Sequence, residues 1–275
     1  MGINTESRLK RLFGPGRSVL PVVLGVFILY PFLVGDYLID IAFFFGIYAL
    51  LGLSLNLVLG EVGLFDLGHA GFYAIGAYTT AILNTRFGIP VLVLLPVSAL
   101  AAALFAFVIC SPIIHLRGDY LCVVTIGMGE IIRLALINNP FVLTGGPHGV
   151  FGIDFPAICT FFVIDSSIKF YFFIWLTVGL AVVGLLRLQN SRIGRAWNFI
   201  REDETAAAAA GIDVRSYKLL AFVLGAALTG AAGNIYAGKL MCVSPESFTF
   251  WESCLMFCIV LIGGMGSVPG VIVGA

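Results

Sequence analysis

The sequence predicts an all-α, polytopic transmembrane helix bundle of about eight spans and the start of a ninth, on three observations. Of the 275 residues 60% are apolar and 11% charged, far outside the composition of soluble domains. Mean hydropathy is +1.07, and apolar runs of membrane-crossing length recur along the whole chain. The charge is also gathered in one place: Arg187 to Lys218 carries ten of the 30 acidic and basic side chains, which makes that stretch the main water-facing surface.

Taken in order, residues 1–18 form a basic foot with Arg8, Lys10, Arg11 and Arg17, and 19–275 form one transmembrane domain. The foot and the apolar run from Val19 to Val34 match the start of a signal peptide, but no small-x-small cleavage site follows and further spans do. The run is therefore read as a first span with its foot in the cytoplasm. Further runs cover Leu38 to Leu59, Leu64 to Leu83, Pro90 to Leu116, Tyr120 to Ile137, Phe170 to Leu186, Leu219 to Ala237 and Phe250 to Ile262, and a ninth begins near Ser267. Six crossings from a cytoplasmic N-terminus return the chain to the cytoplasm at Arg187. The basic residues agree: eleven of the 15 Lys and Arg fall on that side, three (Arg86, Lys169, Lys239) on the other, and Arg133 inside a span. Zero net charge hides this sidedness and gives no reason to expect nucleic acid.

The loop from Arg187 to Lys218 reads as two short helices. In the first, Ile193, Trp197 and Ile200 make one apolar stripe, with Arg192, Arg195 and Arg201 off it. In the second, Asp203 or Thr205 caps the first amides, and Glu202, Asp203 and Glu204 favour the positive end of the helix dipole. Ala206 to Ala210 are strong helix formers, and Gly211 stops the helix as a left-handed cap. A helix of about two turns does not stand alone in water, so it needs a surface to dock on, with Ala207 facing water in the lone chain. The competing reading is a solvated loop.

Several features lie inside the spans. In GEVGLFDLGHAGFYAIGAYTTAIL (60–83) the small residues at 68, 70, 71, 74, 76 and 77 permit close backbone approach. Asp66 and His69, i and i+3, sit either at the cytoplasmic end of that span or in a gate or passage. Glu130 and Arg133, again i and i+3, are expected to form an ion pair on the bundle side, either structural or touching a solute. Thr144 to Gly152 (TGGPHGVFG) means tight turns, used as an external lid or a docking edge. Glycine breaks at Gly60 to Gly63 and Gly263 to Gly270 read either as ordinary turns or as paired interruptions of repeated halves.

Cysteine usage is uninformative: Cys110, Cys122, Cys254 and Cys258 are packing residues, and only Cys159 and Cys242 fall outside, where they could pair. No metal site, nucleophile elbow, HExxH or Walker A sequence is present, so the sequence offers no catalytic residues and no cofactor.

The order GLFDLGHAGFYAIGAY, LRGDYLCVVTIGMGEIIRL, LTGGPHG, IGRAWNFIREDETAAAAAGI, YKLLAFVLGAALTGAAGNIYA, VSPESFTFWES, GGMGS resembles the membrane permease subunits of branched-chain amino-acid ABC importers, the LivM type more than its LivH partner. The likeness runs from about Gly60 to Ser267. It implies a subunit of the bacterial inner membrane that pairs with a second permease, two cytoplasmic ATPases and an external substrate-binding protein. It also implies that the short helix is a coupling helix inserted into an ATPase groove, by way of Glu202, Asp203, Glu204, Ala206, Ala207 and Gly211. Ala206, Ala207 and Gly211 resemble the EAA loop of such permeases, although Thr205 stands where that loop has Glu and Glu204 lies one residue earlier. Similar permeases carry urea, short amides or other amino acids. The resemblance implies at least one further span after Ala275, hence a truncated or incomplete sequence. A self-sufficient carrier or channel would carry more intramembrane acids and bases than Glu130 and Arg133 supply, and a membrane enzyme would show a catalytic constellation.

Overall fold

A computed structural model describes residues 30, 31, 33–116, 118–139, 143–156, 164 and 166–275. The basic foot, most of the first predicted span, Arg117 and Cys159 lie outside the described residues, and with Cys159 the question of its pairing to Cys242.

The regular structure of the described residues is helical apart from one pair of two-residue strands. Helix α1 (Asp36–Asn56) continues into a π-helical turn at Leu57–Glu61. It is followed by α2 (His69–Phe87), α3 (Val91–Ile113), α4 (Asp119–Ile137) and α5 (Ser167–Gln189). Two short helices, α6 (Arg192–Glu202) and α7 (Glu204–Ala209), lead to the long α8 (Val214–Leu240), then α9 (Phe250–Gly263) and α10 (Val268–Gly274). Strands β1 (Val150–Phe151) and β2 (Cys242–Val243) pair antiparallel, with Val150 opposite Val243.

Among the described residues five helices are long and apolar enough to cross a membrane: α1 with its π turn, α3, α4, α5 and α8. The predicted run Leu64 to Leu83 becomes α2, which starts only at His69, the chain before it being irregular. Helix α9 has 14 residues, a rise of about 21 Å, and α10 has seven.

Helices α1 and α8 form the core, with α2 and α3 packed along α8 and α5 along α1. The small residues explain the closeness: a Cβ on Gly233 of α8 would lie 2.6 Å from the Ala77 N of α2, and one on Gly230 2.6 Å from the Ala102 Cβ of α3. Where helices cannot shed water to associate, close backbone packing of this kind replaces it. On α3 the opposite face exposes Val93, Val97, Leu100, Leu104 and Phe107, one stripe at helical spacing suited to lipid.

At one end of the bundle lie Glu61, Gln189 and the α6–α7 hairpin, and at the other the β1–β2 pair. The TGGPHGVFG stretch is tied there: Gly149 packs against the backbone at Val243, and the Ile153 N–H donates to the Met241 carbonyl at 3.2 Å. It is a turn-rich paired edge of the fold, with Gly145, Gly146 and Gly149 all at positive φ.

Candidate functional site: the α6–α7 hairpin and the polar core

The hairpin is built by capping. The Ser191 hydroxyl accepts from the Ile193 and Gly194 amides to start α6. Asp203, in extended conformation at φ −155°, closes α6 and opens α7, accepting from the Thr205 and Ala206 amides at 2.8 and 3.1 Å. The Thr205 hydroxyl and then those amides hold the Asp203 carboxyl below its ordinary range. At the other end Gly211 has φ +83°; its N–H donates to the Ala208 carbonyl and the Ile212 N–H to the Ala207 carbonyl. These paired bonds are those of a Schellman turn. A helix of six residues is thus closed at both ends and is no solvated loop.

Tertiary contacts fix the hairpin to the bundle. Trp197 and Ile200 are buried, and the Trp197 indole N–H donates to the Tyr217 carbonyl at 2.8 Å. Lys218, nearly fully buried, reaches Glu204 with 2.8 Å between Nζ and Oε2. The Arg201 guanidinium donates to the Gly60 carbonyl in the π turn, and Gln189 Nε2 donates to Glu61 Oε1 at 2.6 Å. The second glycine break joins the same junction, since the Gly266 N–H donates to Asn56 Oδ1 at 2.8 Å. A Cβ on Gly60 would lie 2.5 Å from the Gly266 N. The two breaks, far apart in sequence, are two sides of one contact.

One expectation fails. Ala207 is fully buried, because a helix anchored by Lys218 and Glu204 must turn one side of every turn inward. Ala206, Ala208, Ala209, Ala210 and Gly211 form the exposed side, with Glu202 and Asp203 at its edge. Glu204 is engaged with Lys218 rather than free for a partner.

The polar core lies deeper. After the π turn the Val62, Gly63 and Leu64 amides still bond back to carbonyls of that turn; the chain then runs on irregularly to α2, and side chains satisfy amides there instead. The Leu67 N–H donates to Thr125 Oγ1, the Gly68 N–H to Asp66 Oδ1, and the Ala70 N–H to Ser253 Oγ, at 3.2, 2.9 and 3.0 Å. Irregular backbone at such depth survives only when partnered in this way. Asp66 and His69 are 0% exposed, and His69 is the first residue of α2, so they stand at the start of that helix but shielded by the bundle. Asp66 Oδ2 lies 2.9 Å from His69 Nδ1, which assigns the proton to Nδ1. His69 Nε2 meets Thr229 Oγ1 at 2.7 Å and Ser54 Oγ at 2.8 Å. These hydroxyls also reach the Gly225 and Leu51 carbonyls. The order Asp, His, Ser has the form of a hydrolytic triad, but Ser54 is 0% exposed and has no room for a substrate carbonyl. The cluster pins α1, α2 and α8 together at the point where α2 begins.

Glu130 and Arg133 do pair, with Nε 2.9 Å from Oε2, but at a partly exposed rim where Arg133 also lies 3.6 Å from Glu246 Oε1. The structure does not bring this pair to Asp66 and His69. Sequence reasoning missed Ser54, Thr125, Thr229 and Ser253. Their only signal was a hydroxyl inside an apolar run, which packing against a helix carbonyl explains equally well.

A largely apolar bundle with a doubly capped helical hairpin at one end has the form of a multi-pass membrane subunit, and the comparisons give its family. Residues 37–275 match the family described as branched-chain amino acid transport system / permease component, and the chain belongs to that family. It is 42% identical over 306 residues to the high-affinity branched-chain amino acid transport system permease protein LivM of Escherichia coli (strain K12), covering 98% of this chain and 72% of that protein. It is 41% identical to LivM of Salmonella typhimurium, over 93% of this chain and 65% of the relative, so it spans about two thirds to three quarters of their length. LivH of Salmonella typhimurium is 27% identical over 82% of the chain. No solved structure matches.

Proposed function

We propose that the chain is the substrate-translocating subunit of an ATP-driven importer of branched-chain amino acids in a bacterial inner membrane. It works with a second permease subunit, two ATPases on the cytoplasmic side and an external binding protein. The observation that carries this reading is the exposed alanine side of α7. Its side chains are small and its ends are closed, and it is tied through Arg201 and Lys218 to the π turn of α1 and to the base of α8. A push on α7 by a closing ATPase pair would reach the two core helices through these bonds. The names of the relatives favour aliphatic amino acids over urea or amides.

The reading places the hairpin in the cytoplasm and uses about eight crossings. Single cysteines at Asn190 and Ser216 then label from the cytoplasm and one at His148 only from outside; labelling of His148 and Ser216 from one side overturns the count. The function is tested by purifying the complex and measuring which solutes, with the binding protein present, stimulate ATP hydrolysis. Leucine, isoleucine and valine are expected to do so and urea is not; stimulation by urea alone would refute the substrate class.

A further inference from the structure

Towards the β1–β2 end of the bundle, away from the hairpin, lies a cavity of about 200 Å³. It is smaller than the pockets that hold drug-sized ligands and suits a solute of few heavy atoms. Phe44, Ile47 and Leu51 of α1 make an apolar wall, and Tyr48, Tyr236 and Glu252 make a polar one. Tyr73 joins the rings, with its centroid 5.4 Å from that of Tyr236 and 5.0 Å from that of Phe248.

Glu252 is the unusual member. It stands in the first turn of α9 and is partly buried, and the Tyr48 hydroxyl donates to its Oε2 at 3.1 Å. Among the described residues no Lys, Arg or His pairs with it: the ion pairs join Asp66 to His69, Glu130 and Glu246 to Arg133, Glu204 to Lys218 and Asp40 to Lys239. A carboxylate accepts about four hydrogen bonds, so most of its capacity is left towards the cavity. An acid held inside a membrane bundle without a cation is costly, and such residues mark pathways. Around it stand tyrosine rings, whose faces attract an alkylammonium.

We infer that this cavity is an internal binding site for the zwitterion of a small aliphatic amino acid. Glu252 and the tyrosine faces take the ammonium group, Phe44, Ile47 and Leu51 take the side chain, and the Tyr236 hydroxyl, whose oxygen accepts from Ser247, is the donor left for the carboxylate. A neutral amide or urea would leave Glu252 without a counter-charge, so the site itself selects for an ammonium. This assignment rests on the amino-acid importer reading, and it adds a station within one permease subunit.

The test uses the complete complex in proteoliposomes, with the binding protein saturated by L-leucine. Glu252→Gln is expected to slow leucine uptake by about tenfold or more, the scale of one charge-assisted hydrogen bond, while ATPase capture is kept. Glu252→Asp should recover part of the rate. In a second arm, Ser247→Cys is labelled with a thiol reagent and followed at that residue by mass spectrometry, so that the answer does not depend on Glu252→Gln folding. L-leucine should slow the labelling, and 4-methylpentanoate, which lacks the ammonium, should not. Wild-type uptake by Glu252→Gln, or labelling indifferent to leucine, overturns the inference and leaves the importer reading standing. An unaltered complex that takes up no branched-chain amino acid overturns the importer reading and the inference with it.

Discussion

Asp66 and His69 are wholly buried, and each of their four polar side-chain atoms finds a partner within the chain, whereas the outer side of α7 is a row of alanines that make no polar contact and face solvent. The first region is rich in chemistry and self-contained; the second is nearly featureless and open. Polar residues in a membrane bundle are therefore a poor guide to where a partner binds when their bonds close on themselves. Small residues on a capped, solvent-facing helix leave room for a close-fitting partner, which is why the proposed docking rests on that face.

The contrast is broken most strongly at the core. Asp66→Ala strands the His69 Nδ1–H and the Gly68 amide in the interior, where each buried polar group left without a partner costs about 1 to 3 kcal/mol. Folded, membrane-inserted yield should collapse, as read by size-exclusion profile in detergent; a normal profile would show that the cluster does not hold α2 in place. Glu130→Ala should be milder, since the Glu130 and Arg133 side chains are 35% and 21% exposed and Arg133 keeps Glu246 as a second partner. Equal loss of yield in Glu130→Ala and Asp66→Ala would mean that burial does not separate the two pairs.

The smallest effect is at the cap. The Asp203 carboxyl is held below its ordinary range by the Thr205 hydroxyl and the Ala206 and Thr205 amides, so its contribution is complete above the unfolded carboxylate range. It is lost as pH falls through the lowered folded value. Protection of the Thr205 and Ala206 amides from hydrogen exchange should fall over that acidic window. In Asp203→Asn, which still caps but does not ionise, protection should be flat with pH.

Much of this was legible in the sequence where the cause is local. A cap at Asp203 or Thr205, which the structure resolves to Asp203, the left-handed stop at Gly211 and the apolar stripe of Trp197 and Ile200 follow from residue types at fixed offsets, and the long helices from apolar runs. What failed to show depends on parts of the chain far apart. Nothing near Gly60 announces Gly266, and the late start of α2 depends on Thr125 and Ser253, from other helices, being present to satisfy the irregular segment. Ala207 was misplaced for a related reason: five alanines in a row carry no periodicity, so only the Lys218–Glu204 pair decides which side faces in.

That decision gives the most direct measurement. Tryptophan is placed in turn at Ala206 and Ala207, and both folded yield and ATPase co-purification are measured for each. Ala206→Trp, on the open side, should keep its yield yet lose the ATPase and transport, since overpacking a close contact costs about 1 to 3 kcal/mol. Ala207→Trp should lose yield first, because its side chain has no space in the bundle. An Ala206→Trp chain that retains both its ATPase and its transport would contradict the assignment of this face as the docking surface.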